Sequence, residues 1–574
     1  MDGPEEVGLM DKAKVVEVLN EIALLLRLKG ESPFRIRAYE NGGRALELLD
    51  EDLYILVQEK RLDHIKGIGK TLAQNIEELV TTGSSAYHEE LKKEFPETLF
   101  DLFKVPGLGP KRVQTLYEKL GISSLGELEY ACRENRLLKL PGFGEKTQQN
   151  ILRGIDHLKH YQSNFLYSEA QPIAEAIVKE MLEQPGVIEA HAAGSLRRCK
   201  EIVGDIDILA SSLWPVSLMD WFTSMDYVDT IIGKGETKSS VKLINGMNAD
   251  LRVVSPEQYP YALHHFTGSK EHNTAMRHIA RSRGIKMNEY GLFQGEDEIL
   301  IPCKNEKEIF EFFGMDYIPP ELREDRGEIQ AAMEGNLPRL VEMEDIKGIL
   351  HVHTTYSDGR ASLKEMVDEA LRLGYHYIGI SDHSQSAYYA NGLSLEDIKR
   401  QHEEIDELNQ IYNGRIRILK GIESDIQPDG SLDYPDEILA SFDFVIASIH
   451  SGFNMDKETM TQRLLRAIEN PYTTILGHPT GRLLLSREGY PLDMEAVLER
   501  AAERGVAIEI NANPYRLDLD WRWCRRAKEL AVLLAICPDA HDIEGLSHVP
   551  YGVNIARKGW LTADDIFTYP FPVR

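Results

Sequence analysis

Beyond residue 346 the sequence sets seven short apolar runs, each ending in polar residues: GILHVHTTYSDG, YIGISDHS, RILKGIESD, FVIASIHSG, TTILGHPTG, VAIEINAN and LLAICPDAHD. Runs of this length suit buried strands, and the spacing between them leaves room for a helix each time. Repeated strand–helix alternation folds as a parallel sheet or barrel clothed in helices. Such barrels carry their functional groups at the C-terminal ends of the strands. Here those ends hold His351, His353, Asp358, His383, Glu423, His450, His478, Asp539 and His541. Any one of them is most simply a core or surface residue, but nine metal-ligand types in register are not explained that way. Nine ligands can serve up to three ions, and mixed imidazole and carboxylate donors suit Mn²⁺ or Zn²⁺. Such ions activate water for hydrolysis at neutral pH. Asn511 and Asn513, after the sixth run, either contact substrate or cap their loop.

A second concentration of chemistry lies at residues 194–209, GSLRRCKEIVGDIDIL. Asp205 and Asp207 stand among Ile202, Val203, Ile206, Ile208 and Leu209, all residues that favour burial. In a strand, residues i and i+2 face the same way, so the two carboxylates leave one face together. Adjacent carboxylates repel, and one stays protonated unless a cation lies between them. Mg²⁺ takes oxygen ligands and commonly shares them with substrate phosphates. Asp250, in the strand-like run NADLRVV, completes a set of three carboxylates. Such a set can hold two ions that clamp the attacking and leaving oxygens of phosphoryl transfer. Upstream, Gly194 and Ser195 open a helical turn beside Arg197 and Arg198, a combination suited to a triphosphate tail.

Three further stretches resemble one another: HIKGIGKTLAQNIEEL, FKVPGLGPKRVQTLYEKL and LKLPGFGEKTQQNILRGI. Each places an apolar residue before Gly-x-Gly and an amphipathic helical pattern after it. The glycine pairs are Gly67/Gly69, Gly107/Gly109 and Gly142/Gly144. Glycines that open a helix leave backbone N–H groups exposed, which binds phosphate without reading bases. The alternative is a plain helix–turn–helix packing unit. Overall net charge, −28, argues against a nucleic-acid binder that works by bulk attraction. Residues 103–159 nevertheless form a basic patch of ten Lys/Arg against six Asp/Glu, with Lys111, Arg112 and Lys139 flanking the second and third glycine pairs. The five cysteines form no C-x-x-C pair, and the longest apolar runs are too short to span a bilayer. These features predict a cytoplasmic protein with free thiols.

Gly-Ser, then D-x-D, then a later strand Asp is a specific combination, and it resembles the polymerase-beta nucleotidyltransferase superfamily. HHFTGSKEHN (264–273) and MRHIARSRGIKMNEYGLF (276–293) are similar to the nucleotide-binding segment and template-side helix of family X DNA polymerases. With the hairpin motifs, that resemblance covers roughly residues 1–318. It implies Asp205, Asp207 and Asp250 as catalytic ligands of Mg²⁺ or Mn²⁺. It implies Ser195 and Arg198 on the incoming triphosphate, Gly194 and Gly204 shaping the pocket, Asn273 touching the nucleotide and Arg277 supporting the template strand. The usual Tyr-Phe pair before Thr-Gly-Ser is His265-Phe266 here, followed by Gly268, which bears on ribonucleotide rejection. Members with lyase activity carry a Schiff-base lysine on the helix after the first hairpin; that position is Asn75, which cannot form the imine. The second half resembles the PHP (polymerase and histidinol phosphatase) domain, with every expected ligand present. The order of the two halves is that of bacterial and archaeal family X polymerases, whose PHP domain is associated with 3′–5′ exonuclease and DNA-end phosphoesterase activity.

The resemblance and the composition shifts together imply the following organisation. Residues 1–90 and 91–160 form helical domains with helix-hairpin-helix motifs. An α+β nucleotidyltransferase palm (161–258) and a thumb (259–318) follow. An acidic, Pro-containing linker (319–345) leads to a distorted (β/α)7 barrel (346–574). The implied protein is a monomeric repair polymerase that fills gaps in DNA from deoxynucleoside triphosphates and trims 3′ ends, with no membrane partner. The alternative is a phosphoesterase for small phosphates whose front half mainly holds DNA; a scaffold at DNA ends is a third reading, and the carboxylate triad argues against both.

Overall fold

The computed structural model describes residues 12–570 apart from 48, 50, 52, 66, 106, 107, 160–163 and 296. It divides into two units: one runs to Cys132 and resumes over Leu137–Ile155, and the other holds Arg133–Arg136 and the described residues from Asp156 onward.

The first unit is helical. In helix Lys12–Leu28 the apolar residues Val15, Leu19, Ile22 and Leu26 recur at helical spacing and are buried. They share a core with Leu72, Ile76 and Leu79 of helix Lys70–Thr82. That helix and Pro110–Leu120 both stop at a glycine in the left-handed region, Gly83 (φ +74°) and Gly121 (φ +66°), a conformation costly for residues with a Cβ.

The second unit begins with a five-stranded sheet in the spatial order Val187–Ala192, Asp205–Ser212, Asn248–Val254, Lys238–Leu243, Val228–Lys234. The pair Asp205–Ser212 and Asn248–Val254 is parallel; the other neighbours are antiparallel. Ile206, Ile208 and Ala210 point into a core covered by helices Tyr167–Leu182 and Pro215–Thr223. The period of two therefore sends Asp205 and Asp207 out of the opposite face. The run 202–210, which reads as one strand, is split: Ile202–Val203 pairs with Phe165–Leu166, and Gly204 separates it from Asp205–Ser212.

Residues 259–318, helical in sequence pattern, also hold a three-stranded antiparallel sheet, Ile285–Asn288, Gly291–Gln294 and Ile299–Ile301. Its turn is local chemistry. Asn288 Oδ1 accepts from the backbone N–H groups of Tyr290 and Gly291, an Asx turn too short to register as a period. Residues 319–345 lack a strong apolar period, yet they contain helix Glu328–Glu334. They bury Leu322, Ile329, Ala332 and Leu340 beside Phe310, Phe313 and Trp560. A segment of this kind draws its order from partners far along the chain, which periodicity does not report.

From residue 348 seven parallel strands follow in sequence order: Gly348–Val352, Tyr377–Ile380, Arg417–Asp425, Phe444–Ser448, Ile475–Leu476, Ala507–Asn511 and Leu534–Cys537. Val352 bridges Ala540 in parallel, and His353 N donates to Ala540 O at 2.9 Å, so the first and last strands meet and the sheet closes as a barrel. Helices such as Leu363–Arg372 and Met494–Arg504 press their apolar faces on it. None of the five cysteines is in a disulfide. Among the described residues no helix is long and apolar enough to cross a membrane.

Candidate functional site

Two constellations of ligand-type side chains lie in the second unit. The first stands on the parallel strand pair of the five-stranded sheet. Asp207 lies directly across from Asp250, and Asp205 is two residues away on the same face. Burial, then Asp205 and Asp250, push the Asp207 carboxyl up to about 6; burial and Asp250 also raise Asp205. Three carboxylates this close need a cation. Lys238 supplies part of that charge, its Nζ 2.6 Å from Asp250 Oδ2, and nothing in the sequence pattern marked it.

Gly194 opens the short turn Gly194–Arg197 at φ +59°. A Cβ there would lie 2.2 Å from Asp207 Oδ2, so the backbone approaches the carboxylate as only glycine allows. Gly204 is exposed, and Ser195 half-buried. The adjacent arginines are already engaged. Arg197 is held by Glu306 (2.6 Å) and Thr267 Oγ1 (2.6 Å); Arg198 Nε donates to Glu324 at 3.0 Å and Nη1 to Thr267 O at 2.8 Å. Asn273 Nδ2 donates to the carbonyls of His265 (2.7 Å) and Gly268 (3.1 Å), fixing the turn between helices Tyr259–Thr267 and Lys270–Ser282. A Cβ on Gly268 would meet Asn273 Oδ1 at 2.7 Å. Phe266 packs beneath Arg252, 4.5 Å from its guanidinium carbon, and Arg277 is exposed near Thr274.

The second constellation fills the mouth of the barrel. All nine residues expected at the strand ends converge there, in four overlapping groups whose ligand atoms lie within 4.8 Å of one another. The groups are His353/Asp358/His383/His541, His351/Glu423/His478, His351/His353/Asp539 and His383/Glu423/His450. His351 Nε2 lies 3.2 Å from Glu423 Oε1, and His353 Nε2 lies 3.3 Å from Asp539 Oδ1. Ligand atoms about 2.1 Å from a tetrahedral ion stand about 3.4 Å apart, so these separations fit one. Nε2 of His351 and His541, both ring nitrogens of His353, Oδ2 of Asp358 and Oε2 of Glu423 are buried and make no hydrogen bond. Polar atoms are not left so without cause. Burial and the neighbouring His541 and His383 rings push His353 down to about 3, so its imidazole is neutral and can donate a lone pair. The residues fit a metal centre. Three of them, His351 (φ +60°), His478 (φ +24°) and Asp539 (φ +50°), hold left-handed backbone at their strand ends, strain of the kind found at functional sites.

Several residues hold these ligands, and apart from Asn511 and Asn513 sequence patterns do not single them out. Glu509 accepts from the backbone N–H of His478 and pairs with His351 Nδ1, each at 2.5 Å. Asn511 donates to Glu509 (3.2 Å) and Asp539 (3.0 Å), so it orients a ligand. Asn513 caps its own loop, accepting from Tyr515 N. Asp425 binds His450 Nδ1 at 2.6 Å. Buried Asp382 collects Thr354, Ser357 and Gln401 and so fixes the loop that carries Asp358. Partners of this kind set ligand orientation and tautomer. Glu509 and Asp425 do stand within two residues of other singled-out positions, the one signal that could have found them.

In the first unit, Gly69 and Gly109 stand immediately before helices Lys70–Thr82 and Pro110–Leu120, and neither helix has a side-chain cap. Gly142 (φ +87°) and Gly144 precede Glu145–Lys159 in the same way, and Gly67 (φ +104°) precedes the first. A Cβ at Gly69, Gly109, Gly142 or Gly144 would meet nothing within 4 Å, so packing does not require those glycines and the helix starts are open. Gly107 lies outside the described residues. Lys111 and Lys139 are exposed, whereas Arg112 donates to Gly142 O and stacks on Phe143, tying the second hairpin to the third. Asn75 donates to Tyr39 Oη at 2.7 Å.

Family models match four stretches of the chain. Models of a helix-hairpin-helix domain (residues 10–85), a SAM-like helix-hairpin-helix tandem (99–156), the DNA polymerase beta thumb (262–324) and the PHP domain (350–513) all match. The PHP match stops before the last strand, so Asp539 and His541 lie beyond it and are brought in by barrel closure. A Caldanaerobacter subterraneus protein named Probable phosphatase is 34% identical over 212 residues, 34% of this chain and 76% of that one. The DNA polymerase/3′-5′ exonuclease PolX of Bacillus subtilis is 39% identical over 559 residues, 97% of each chain. With that likeness running through both constellations, the chain belongs to the PolX family, the family X DNA polymerases with a C-terminal PHP domain.

Proposed function

We propose that this protein fills short gaps in DNA by template-directed nucleotide addition at Asp205, Asp207 and Asp250, and trims 3′ ends by hydrolysis at the barrel cluster. The observation that carries this reading is the register: Asp207 faces Asp250 across a parallel strand pair, with Asp205 beside them and the Gly194 turn closed over Asp207. A DNA-holding module has no use for three mutually repelling carboxylates. Mg²⁺ or Mn²⁺ at that triad, and up to three Mn²⁺ or Zn²⁺ ions at the nine barrel ligands, would activate the attacking oxygen and polarise the phosphate. The chain itself does the positioning. The turn at Gly194 and Ser195 offers backbone N–H groups to the triphosphate tail, and Arg198 supplies a charge-assisted donor. Asn273, anchored to His265 and Gly268, presents the nucleotide-facing edge of helix Lys270–Ser282, and Arg277 supports the template strand. His265 and Phe266 line the side that judges the sugar. The open hairpin helix starts and Lys111 take DNA backbone without reading bases. The protein acts on gapped or nicked DNA as a cytoplasmic monomer in repair.

A second reading has its own support. The relatives named Probable phosphatase from Caldanaerobacter subterraneus and Acetivibrio thermocellus align with only 34% and 30% of the chain, and favour a barrel that hydrolyses small phosphate esters. One substrate separates the two readings: a duplex with a one-nucleotide gap and a labelled 3′ primer end. The proposal expects the primer to gain one templated nucleotide when triphosphates are present and to shorten when they are withheld. A primer that neither lengthens nor shortens, with p-nitrophenyl phosphate still turned over, would overturn it in favour of the phosphatase.

A further inference from the structure

We infer that Lys558, in the barrel half, is a positioning residue for nucleotide addition: it keeps Glu324 paired so that Arg198 can leave that carboxylate for an incoming triphosphate. The inference rests on the reading that Arg198 meets the triphosphate.

Lys558 closes helix Val549–Lys558 and is 1% exposed. A buried ammonium is costly unless its protons are used and its charge is matched. Its Nζ donates to Glu324 Oε1 at 2.6 Å, to Arg198 O at 3.0 Å and to Glu321 O at 3.2 Å, which uses all three protons. Nζ also lies over the indole of Trp521, 4.6 Å from the ring centroid. Glu324 Oε1 is also the atom that accepts from Arg198 Nε. One carboxylate oxygen therefore joins an ammonium from the barrel half to the guanidinium beside the carboxylate triad, and Lys558 holds the backbone of Arg198 as well.

The consequence follows from charge balance. Arg198 cannot face a phosphate and Glu324 with the same Nε–H. When it turns to a triphosphate, Glu324 loses one partner. Lys558 remains on the same oxygen, so the carboxylate is not stranded in a site where its side chain is only 10% exposed. Of the other nearby cations, Arg323 is committed to Glu306 and Ile318 O, and Lys200 acts on Glu324 through charge more weakly than Lys558 or Arg198 does. Without Lys558, release of Arg198 would leave Glu324 poorly compensated. Arg198 would then be held back, and the triphosphate would bind more weakly by the cost of that release.

Three variants of the full-length protein test this, read by steady-state gap filling over a range of deoxynucleoside triphosphate, with trimming measured alongside. Lys558→Met should raise KM for the triphosphate roughly tenfold, within the usual range for coupling between sites, and leave kcat and trimming near wild type. Adding Glu324→Gln to Lys558→Met should restore KM, because no charge is then stranded. Glu324→Gln alone should lower KM or leave it unchanged. A purely structural lysine would depress kcat, trimming and thermal stability together, with no rescue. Arg198→Ala is the control. If it raises KM while Lys558→Met does not, or while Glu324→Gln fails to rescue, the role of Lys558 is refuted. If Arg198→Ala leaves KM unchanged, the triphosphate reading of Arg198 fails and the inference falls with it. Should Lys558→Met not fold, Glu324→Gln alone decides: a raised KM overturns the inference, and a lowered or unchanged one supports it.

Discussion

Replacing Gly194 with alanine should disable nucleotide addition through a single methyl group. The added Cβ would stand 2.2 Å from Asp207 Oδ2, 3.1 Å from Cγ and 3.2 Å from Cβ. Alanine at φ +59° costs about 1 kcal/mol in backbone strain, a modest loss for the fold. The displacement matters more. Strand Asp205–Ser212 cannot retreat, because Ile206 and Ile208 on its other face are fully buried. The carboxylate must therefore swing away by on the order of 1 Å, a misplacement that typically costs about a hundredfold in rate. Single-turnover gap filling should show that loss in kcat, with a melting temperature lowered by only a few degrees. Trimming, which our proposal assigns to the barrel cluster, serves as the internal control and should be unchanged. Gap filling by Gly194→Ala within about threefold of wild type would refute the reasoning, since a carboxylate moved that far cannot keep productive geometry.

Two further outcomes are expected. Against the pull of burial, Arg323 and Arg197 draw the Glu306 carboxyl down to about 2 from an ordinary 4.5; its folded value is the lower one, so the pairing stabilises the protein above pH 4.5 and is lost as pH falls toward 2. Glu306→Gln should therefore cost about 3 kcal/mol near neutrality, and chemical denaturation should show the gap between wild type and variant closing only as pH falls from about 4 toward 2. Lys111→Ala with Lys139→Ala should weaken binding to all DNA sequences alike and reduce the slope of log affinity against log salt by about two, measured by fluorescence anisotropy; a sequence-selective loss would contradict phosphate contact.

The placement of the ligand-type side chains was more legible in the sequence than the scaffolding around them. That Asp205 and Asp207 share a strand face, and that nine ligand-type residues meet at the barrel mouth, could be read because strand periodicity and strand-end position force such residues onto one face or one mouth. Glycines before the hairpin helices were legible for a similar local reason. Lys238, Glu509, Asp425 and Lys558 were not, since each acts through a partner that the fold, not the spacing, brings near. Glu509 is 158 residues from His351, and Lys558 is 234 from Glu324; acids and lysines are too common for such a pairing to show in one sequence. Order in 319–345 was hidden likewise, because Leu322 and Ile329 find their core among Phe310, Phe313 and Trp560.

The central claim is that two independent metal chemistries share this chain, and reciprocal variants on one labelled, gapped duplex test it most directly. Asp205→Ala should abolish nucleotide addition and leave 3′ trimming at the wild-type rate, because the barrel ligands are untouched. His353→Ala removes a neutral imidazole shared by two of the four ligand groups, so it should abolish trimming, lower the metal content of the purified protein and leave addition intact. Trimming that persists in His353→Ala but disappears in Asp205→Ala would place the hydrolysis at the carboxylate triad and contradict the account.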